Sequence, residues 1–374
     1  MFSRANKRFK KSNKTNSVSI SFSKFIKKDK ANVVSIKQEI INLSSKSWQE
    51  HIKNLEPLNE TIFNRLKEVS SDLIFADSTG LELSADKFLT ASILFKDLLK
   101  KELQTQNVGL LLPSTAAGAF INYSMLLMGK TAVNLNYTSE MESIKQSIQA
   151  AQISTVITSK KFVEKLELKG INIKEVFDLV NVIYLEDLKE KISKRKSLFT
   201  FLSVKFLPCF LLKIIHLTKT NKDDTVLILF SSGSEGKPKG VELTGDNILG
   251  NAQQIANIIN VNDDDIMLGS LPLFHAFGIV VTTYLPLIEG IKCVAHPDPT
   301  DGLAIAKLVS TYKATIMFGT STFYRLYVKN QKIHPLMFES LRVTVSGAEK
   351  LREEVRIDFK KRFWILLRLF MLKI

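Results

Sequence analysis

Short apolar runs alternate with helix-patterned stretches along this chain, and that alternation limits it to few folds. VGLLLP (108–113) reads as a strand, AAGAFINYSMLLMG (116–129) has helical spacing, and TAVNLN (131–136) reads as a second strand. Ser139 with Glu142 gives a capping-box signature opening SEMESIKQSIQAA, and STVITS (154–159) is a third strand. Strands joined through helices pair in parallel with right-handed crossovers, which predicts an α/β domain, doubly wound, with mostly parallel sheets. The alternation resumes after residue 224: TVLILF is a strand, NILGNAQQIANII an amphipathic helix with Thr244 and Asp246 as cap candidates. IKCVAH (291–296), ATIMFG (314–319) and LRVTVSG (341–347) are further strands, and no internal repeat of 20 to 50 residues is visible.

The 374 residues are 45% hydrophobic, an ordinary globular composition with room for one large or two medium domains. Cys209 and Cys293 are too few and too far apart for a disulfide framework or a cysteine zinc site, so a cytoplasmic setting is expected. The net charge of +15 is uneven: residues 1–30 hold ten Lys or Arg against Asp29 alone. That concentration in one arm argues against a nucleic-acid-binding domain, and the arm lacks the apolar core of a signal peptide. Residues 1–65 read as a basic tail or linker with one amphipathic stretch near Trp48–Leu55, and the domain is expected from 66 to 363. Within it, LFTFLSVKFLPCFLLKIIH (198–216) is strongly apolar but interrupted by Lys205, Pro208 and Lys213. It suits either a buried core segment or a helix lying in a membrane interface, not a spanning helix.

Directly behind TVLILF comes SSGSEGKPKG (231–240). A Walker loop needs Ser or Thr after its Gly-Lys, but Gly236-Lys237 is followed by Pro238, and the spacing from Gly233 is two residues short. A dinucleotide fingerprint opens into a helix, whereas Gly240 leads into strand-like VELT. The chemistry still favours an anion. Gly233, Gly236 and Gly240 free backbone N–H groups, Ser231, Ser232 and Ser234 add donors, and Lys237 and Lys239 bring charge.

FSSGSEGKPKGVELT (230–244) resembles the phosphate-loop signature of the adenylate-forming enzymes, among them acyl-CoA and acyl-carrier-protein synthetases, adenylation domains and luciferases. LPLFHAFG (271–278) resembles that superfamily's next motif, and VSGAEKL (345–351) the strand-turn that lines the adenine. With MGKTAVNLNYTSE and FGTSTFYRLY, the stretch 70–363 is similar to the ligase portion of bifunctional acyl-carrier-protein synthetases/2-acylglycerophosphoethanolamine acyltransferases of bacterial inner membranes. The resemblance implies the large N-terminal domain of these enzymes, with ATP and Mg2+ as cofactors. Its implied partners are a fatty acid, acyl carrier protein or CoA, and the inner face of the membrane. The resemblance implies that Ser231, Ser232, Gly233, Ser234, Glu235, Gly236, Lys237 and Lys239 hold the ATP phosphates. It likewise implies His275 at the reacting centre, Phe274, Gly319, Thr320 and Ser321 around the acyl group, and Gly347, Ala348 and Glu349 along the adenine, with no protein metal ligand assigned.

After KKRF the resembled enzymes continue with Gly, an apolar strand and a Tyr-Gly-x-Thr-Glu motif, whereas here Trp364 opens WILLRLFMLKI. Residues 364–374 are therefore expected to be an aberrant tail and the small C-terminal domain, with its catalytic Lys, to be absent. A shifted frame, a shortened one or a sequence error would each give this pattern. On that expectation the 374-residue chain has no appreciable ligase activity; the alternative to a ligase is a fragment that at most binds nucleotide or a membrane surface.

Overall fold

The computed structural model describes residues 21–27, 31–232, 238–365 and 367–369. The chain divides into two units, Met1–Pro57 and Leu58–Ile374. The first contains a single helix among its described residues, Val33–Lys53, whose N-cap Asn32 exchanges side-chain bonds with Ser35. Trp48–Lys53 of the amphipathic stretch is thus the end of a longer helix, with Asn54 as its C-cap.

The second unit starts with the helix Leu58–Glu68, earlier than the expected residue 66. Leu58, Ile62, Phe63 and Leu66 recur at helical spacing and are buried, so this helix is core and not linker. In chain order the strands are β1 (Leu73–Asp77), β2 (Glu82–Ser84), β3 (Asn107–Leu110), β4 (Thr131–Asn134), β5 (Thr155–Thr158), β6 (Asn181–Tyr184), β7 (Thr225–Ser232), β8 (Pro238–Thr244), β9 (Ile266–Gly269), β10 (Lys292–Ala295), β11 (Ile316–Gly319), β12 (Val343–Ser346) and β13 (Leu367–Leu369). They form a seven-stranded sheet, β13-β12-β11-β9-β10-β1-β2, and a six-stranded sheet, β6-β5-β3-β4-β7-β8. Pairing is parallel except for the edges β2 and β8, which run antiparallel to β1 and β7. The doubly wound, mostly parallel α/β architecture is therefore the one the alternation predicts.

Burial follows that architecture. Strands β4, β5, β11 and β12 are buried at every position, the pattern of parallel strands covered by helices on both faces. One local expectation fails: the helix Met141–Ala150 has Glu140 at its N-cap with no side-chain cap bond, so the Ser139/Glu142 box does not form. Ser139 instead closes a turn, its N–H donating to the Asn136 carbonyl at 3.2 Å. By contrast Thr244 caps Gly245–Ile259 and forms a full box with Asn247.

Trp364, where the resembled enzymes have Gly, ends the helix Glu353–Phe363 at φ +56°, a left-handed conformation that glycine adopts without steric cost. The chain then adds β13 parallel to β12, so residues 367–369 extend the sheet. No helix among the described residues is long and apolar enough to cross a membrane.

Candidate active site

The phosphate-loop sequence is flanked by an antiparallel pair, β7 and β8. β7 and β8 pair with Phe230 opposite Gly240, Ser231 opposite Lys239 and Ser232 opposite Pro238. Cross-strand partners share a face, so the register sets the Ser231 hydroxyl beside the Lys239 side chain at the loop's base. Gly233, Ser234, Glu235, Gly236 and Lys237 lie between these strands in sequence and outside the described residues, as does the side chain of Ser232.

LPLFHAFG supplies the opposite wall. His275 precedes the short helix Ala276–Ile279; its N–H donates to the Pro272 carbonyl at 3.3 Å and its own carbonyl accepts from Ile279 N at 2.9 Å. Gly278 makes the turn possible, because a Cβ there would stand 1.9 Å from the Pro272 carbonyl oxygen. Phe274 is buried, its ring edge-on to Tyr137 at 4.8 Å, and the His275 ring lies 4.6 Å from it by centroids. His275 reaches the surface, yet the apolar walls desolvate it enough to lower its pKa, and the imidazole is neutral at pH 7.

These two pieces meet across a cleft of about 390 Å³, where Ser231 and Pro238 of the hairpin face the same space as Phe274 and His275. Leu135, Ile144, Leu229, Val241 and Leu243 give it an aliphatic wall. Asn136, Ser139, Ser143 and Ser147 give it a polar one that the sequence did not announce. Ser143 and Ser147 lie four residues apart on one face of the helix Met141–Ala150, and Ser139 joins them from the turn before it. Such a cleft can take a molecule with an anionic end at the hairpin and an apolar body along the wall.

The other candidates gather at the carboxyl ends of β11 and β12. Gly347 N–H donates to the Gly319 carbonyl at 3.0 Å, and Phe277 occupies the space a Cβ on Gly347 would need, 2.8 Å from its ring. Phe277 also packs edge-on to Phe318, which ties the 274–278 turn to this pair of strand ends. Ala348 sits at φ +63°, a strained conformation for a residue with a Cβ. The Glu349 carboxylate accepts from Thr322 N at 2.5 Å and Thr322 Oγ1 at 3.1 Å. Burial alone would raise its pKa; these bonds, with Thr320 and Arg352, outweigh it and hold the carboxyl below its ordinary value. Gly319, Thr320 and Ser321 do not line the cleft. The Tyr324 ring fills the space beside Gly319, Thr320 caps the helix Ser321–Lys329, and the buried Ser321 hydroxyl accepts from Arg352 N at 3.2 Å.

Among the described residues no three His, Cys, Asp or Glu side chains converge on a metal position. The polar groups that line the cleft are hydroxyls, an amide and the His275 imidazole, a set that suits phosphate oxygens.

The sequence profile described as AMP-binding enzyme matches residues 96–370. A long-chain-fatty-acid–CoA ligase of Bacillus subtilis (strain 168) is 24% identical over 347 residues, 85% of this chain and 61% of that protein. A 4-coumarate–CoA ligase of Pinus taeda is 26% identical over 265 residues, 70% of this chain and 46% of its own length. The chain thus spans about half to three fifths of these curated relatives. Among solved structures, the anthranilate CoA ligase AuaEII in complex with anthranoyl-AMP superposes with a TM-score of 0.71 at 18% identity, covering 86% of this chain and 60% of that one. The N-terminal domain of FACL13 from Mycobacterium tuberculosis gives 0.69 at 17% identity, with coverage of 85% and 76%. These two likenesses bear on the fold.

Proposed function

The chain belongs to the AMP-binding enzyme family, and from that premise we propose that its second unit holds the ATP and the carboxylic acid of an AMP-forming acid–thiol ligase. The observation that carries this reading is the cleft joining the hairpin base, Ser231 and Pro238, to Phe274 and His275. A carboxylate is a poor acyl donor because oxide is a poor leaving group. Adenylation removes the difficulty: a carboxylate oxygen bonds to the α-phosphorus as the bond to pyrophosphate breaks. A thiolate then bonds to the acyl carbon and AMP departs with the electron pair. Little covalent chemistry falls to the protein, so position and charge neutralisation dominate.

In this reading Ser231, Lys239 and the loop between them grip the β- and γ-phosphates. The neutral His275 imidazole lies at the acid's carboxylate, where it can donate a hydrogen bond without holding the carboxylate as a salt. With the Glu349 carboxylate bonded to Thr322, the backbone of Gly347 and Ala348 is the part of that turn assigned to the adenine. The aliphatic wall favours a fatty acid over an aromatic one, in keeping with the Bacillus relative. The acceptor is a phosphopantetheine thiol on CoA or acyl carrier protein, since both present the same group; likeness to the bacterial acyl-carrier-protein synthetases favours the second.

Calorimetric titration with ATP and with adenosine tests this reading. Lys237→Ala combined with Lys239→Ala should weaken ATP about tenfold to a hundredfold, the loss of one or two charged hydrogen bonds. Adenosine affinity should not change. Equal losses for both ligands, or none for ATP, would remove the hairpin from the phosphate site.

A further inference from the structure

The segment 194–216 forms two helices, Lys194–Phe206 and Cys209–His216, broken at Pro208, and their polarity is inverted. Several polar groups face the protein, while Lys194, Arg195 and Lys205 are exposed. Lys213 pairs with Glu60, the Cys209 thiol donates to Asn64 Oδ1 at 3.4 Å, and Lys96 Nζ donates to the His216 carbonyl at 3.2 Å. Lys67 donates to the Val204 carbonyl and Lys196 lies 3.8 Å from Asp97. Both helices therefore rest on the same layer, formed by Leu58–Glu68 and the helix Ala85–Glu102. Only Val204 and Leu212 are buried beneath them.

The outward faces are apolar. In the first helix Leu198, Phe199, Leu202 and Phe206 recur at spacings of three and four and are exposed, Phe199 at 74%. In the second, Phe210, Leu211, Ile214 and Ile215 do the same, Ile214 at 77%. Monomeric proteins rarely leave so continuous an apolar surface in water. The charge around it is of one sign: between Glu190 and Asp223 the chain has eight Lys or Arg and no Asp or Glu.

We propose that this helix pair is a docking surface for an anionic lipid bilayer, its apolar faces inserted at the headgroup–acyl boundary and its flanking cations on the phosphates. Two-fold pairing with a second copy would set one basic patch on another of the same sign, and like charges oppose that contact. An anionic surface matches both features at once. The proposal is independent of the ligase reading.

The full chain should co-sediment with vesicles of phosphatidylglycerol and phosphatidylcholine, and more weakly with phosphatidylcholine alone. Phe199→Ser, Phe206→Ser, Phe210→Ser and Ile214→Ser together should lower the partition coefficient at least about tenfold. Their thermal midpoint should stay near the original, since exposed positions contribute little to stability. Lys194→Gln, Arg195→Gln and Lys205→Gln should weaken binding to the anionic vesicles and leave that to neutral ones unchanged. As a check independent of multiple substitution, Phe210→Trp should gain fluorescence that brominated acyl chains quench. Unaltered binding by the four-serine variant, with an unquenched indole at 210, would assign vesicle binding elsewhere, the 1–30 arm first, and overturn the proposal. So would a chain that ignores vesicles, including one that is dimeric and becomes monomeric in the four-serine variant.

Discussion

Gly278→Ala is expected to destabilise the second unit by about 3 kcal/mol or more, a fall in thermal midpoint of about 5 °C or more. An added Cβ would stand 1.9 Å from the Pro272 carbonyl oxygen, 2.9 Å from its carbon and 3.2 Å from the carbonyl carbon of Leu271. All three are backbone atoms, so no side chain can swing aside to make room. The turn must open, and with it the His275 N–H bond to Pro272 and the seating of Phe274 against Tyr137. Ligand binding at the cleft should fall with stability. Thermal unfolding followed by circular dichroism measures the shift, and a variant as stable as the parent would mean the LPLFHAFG turn is not built as described.

Phe359→Ala should cost about 3–5 kcal/mol by a different route, loss of buried area plus an unfilled cavity. Phe359 is fully buried, with ring centroids 4.8 Å from Phe363, 5.2 Å from Tyr324 and 6.3 Å from Phe338. Those rings form the core under β11 and β12, and the Tyr324 hydroxyl donates to the Val345 carbonyl at 2.8 Å. The cavity therefore lies one side chain from the Gly347–Glu349 turn. Denaturant titration should show a lower midpoint with an unchanged slope; a loss below about 1 kcal/mol would contradict the packing.

Much of the fold was legible in the sequence because parallel strands buried on both faces are uniform apolar runs. TAVNLN, STVITS, ATIMFG and LRVTVSG each contain the strand they suggest. β1 and β9 were less legible, since Leu73–Asp77 ends on a buried Asp and Ile266–Gly269 follows three consecutive Asp residues. Asp77 is accommodated by accepting from Ala116 N at 2.9 Å, a contact across 39 positions that no local pattern reveals. At the site, the SSGSEGKPKG stretch and the Phe274-His275 pair could be read locally, and Ser231, Pro238, Phe274 and His275 all line the cleft. The serine wall could not, because Ser139 and Glu142 offered a capping box that the fold does not use. For 194–216, composition gave apolarity but not its direction. Which face turns outward depends on Glu60, Asn64 and Lys96, distant partners that draw Lys213, Cys209 and His216 inward.

Equilibrium binding of a non-hydrolysable acyl-adenylate analogue, an adenosine joined to a fatty acyl chain through a sulfamoyl link, tests the central claim most directly. Because one molecule would fill the adenine turn and the cleft together, it should bind at least about a hundredfold more tightly than AMP or the free fatty acid. Binding no tighter than AMP, or equal binding of the uridine analogue, would contradict a site that joins nucleotide to acid.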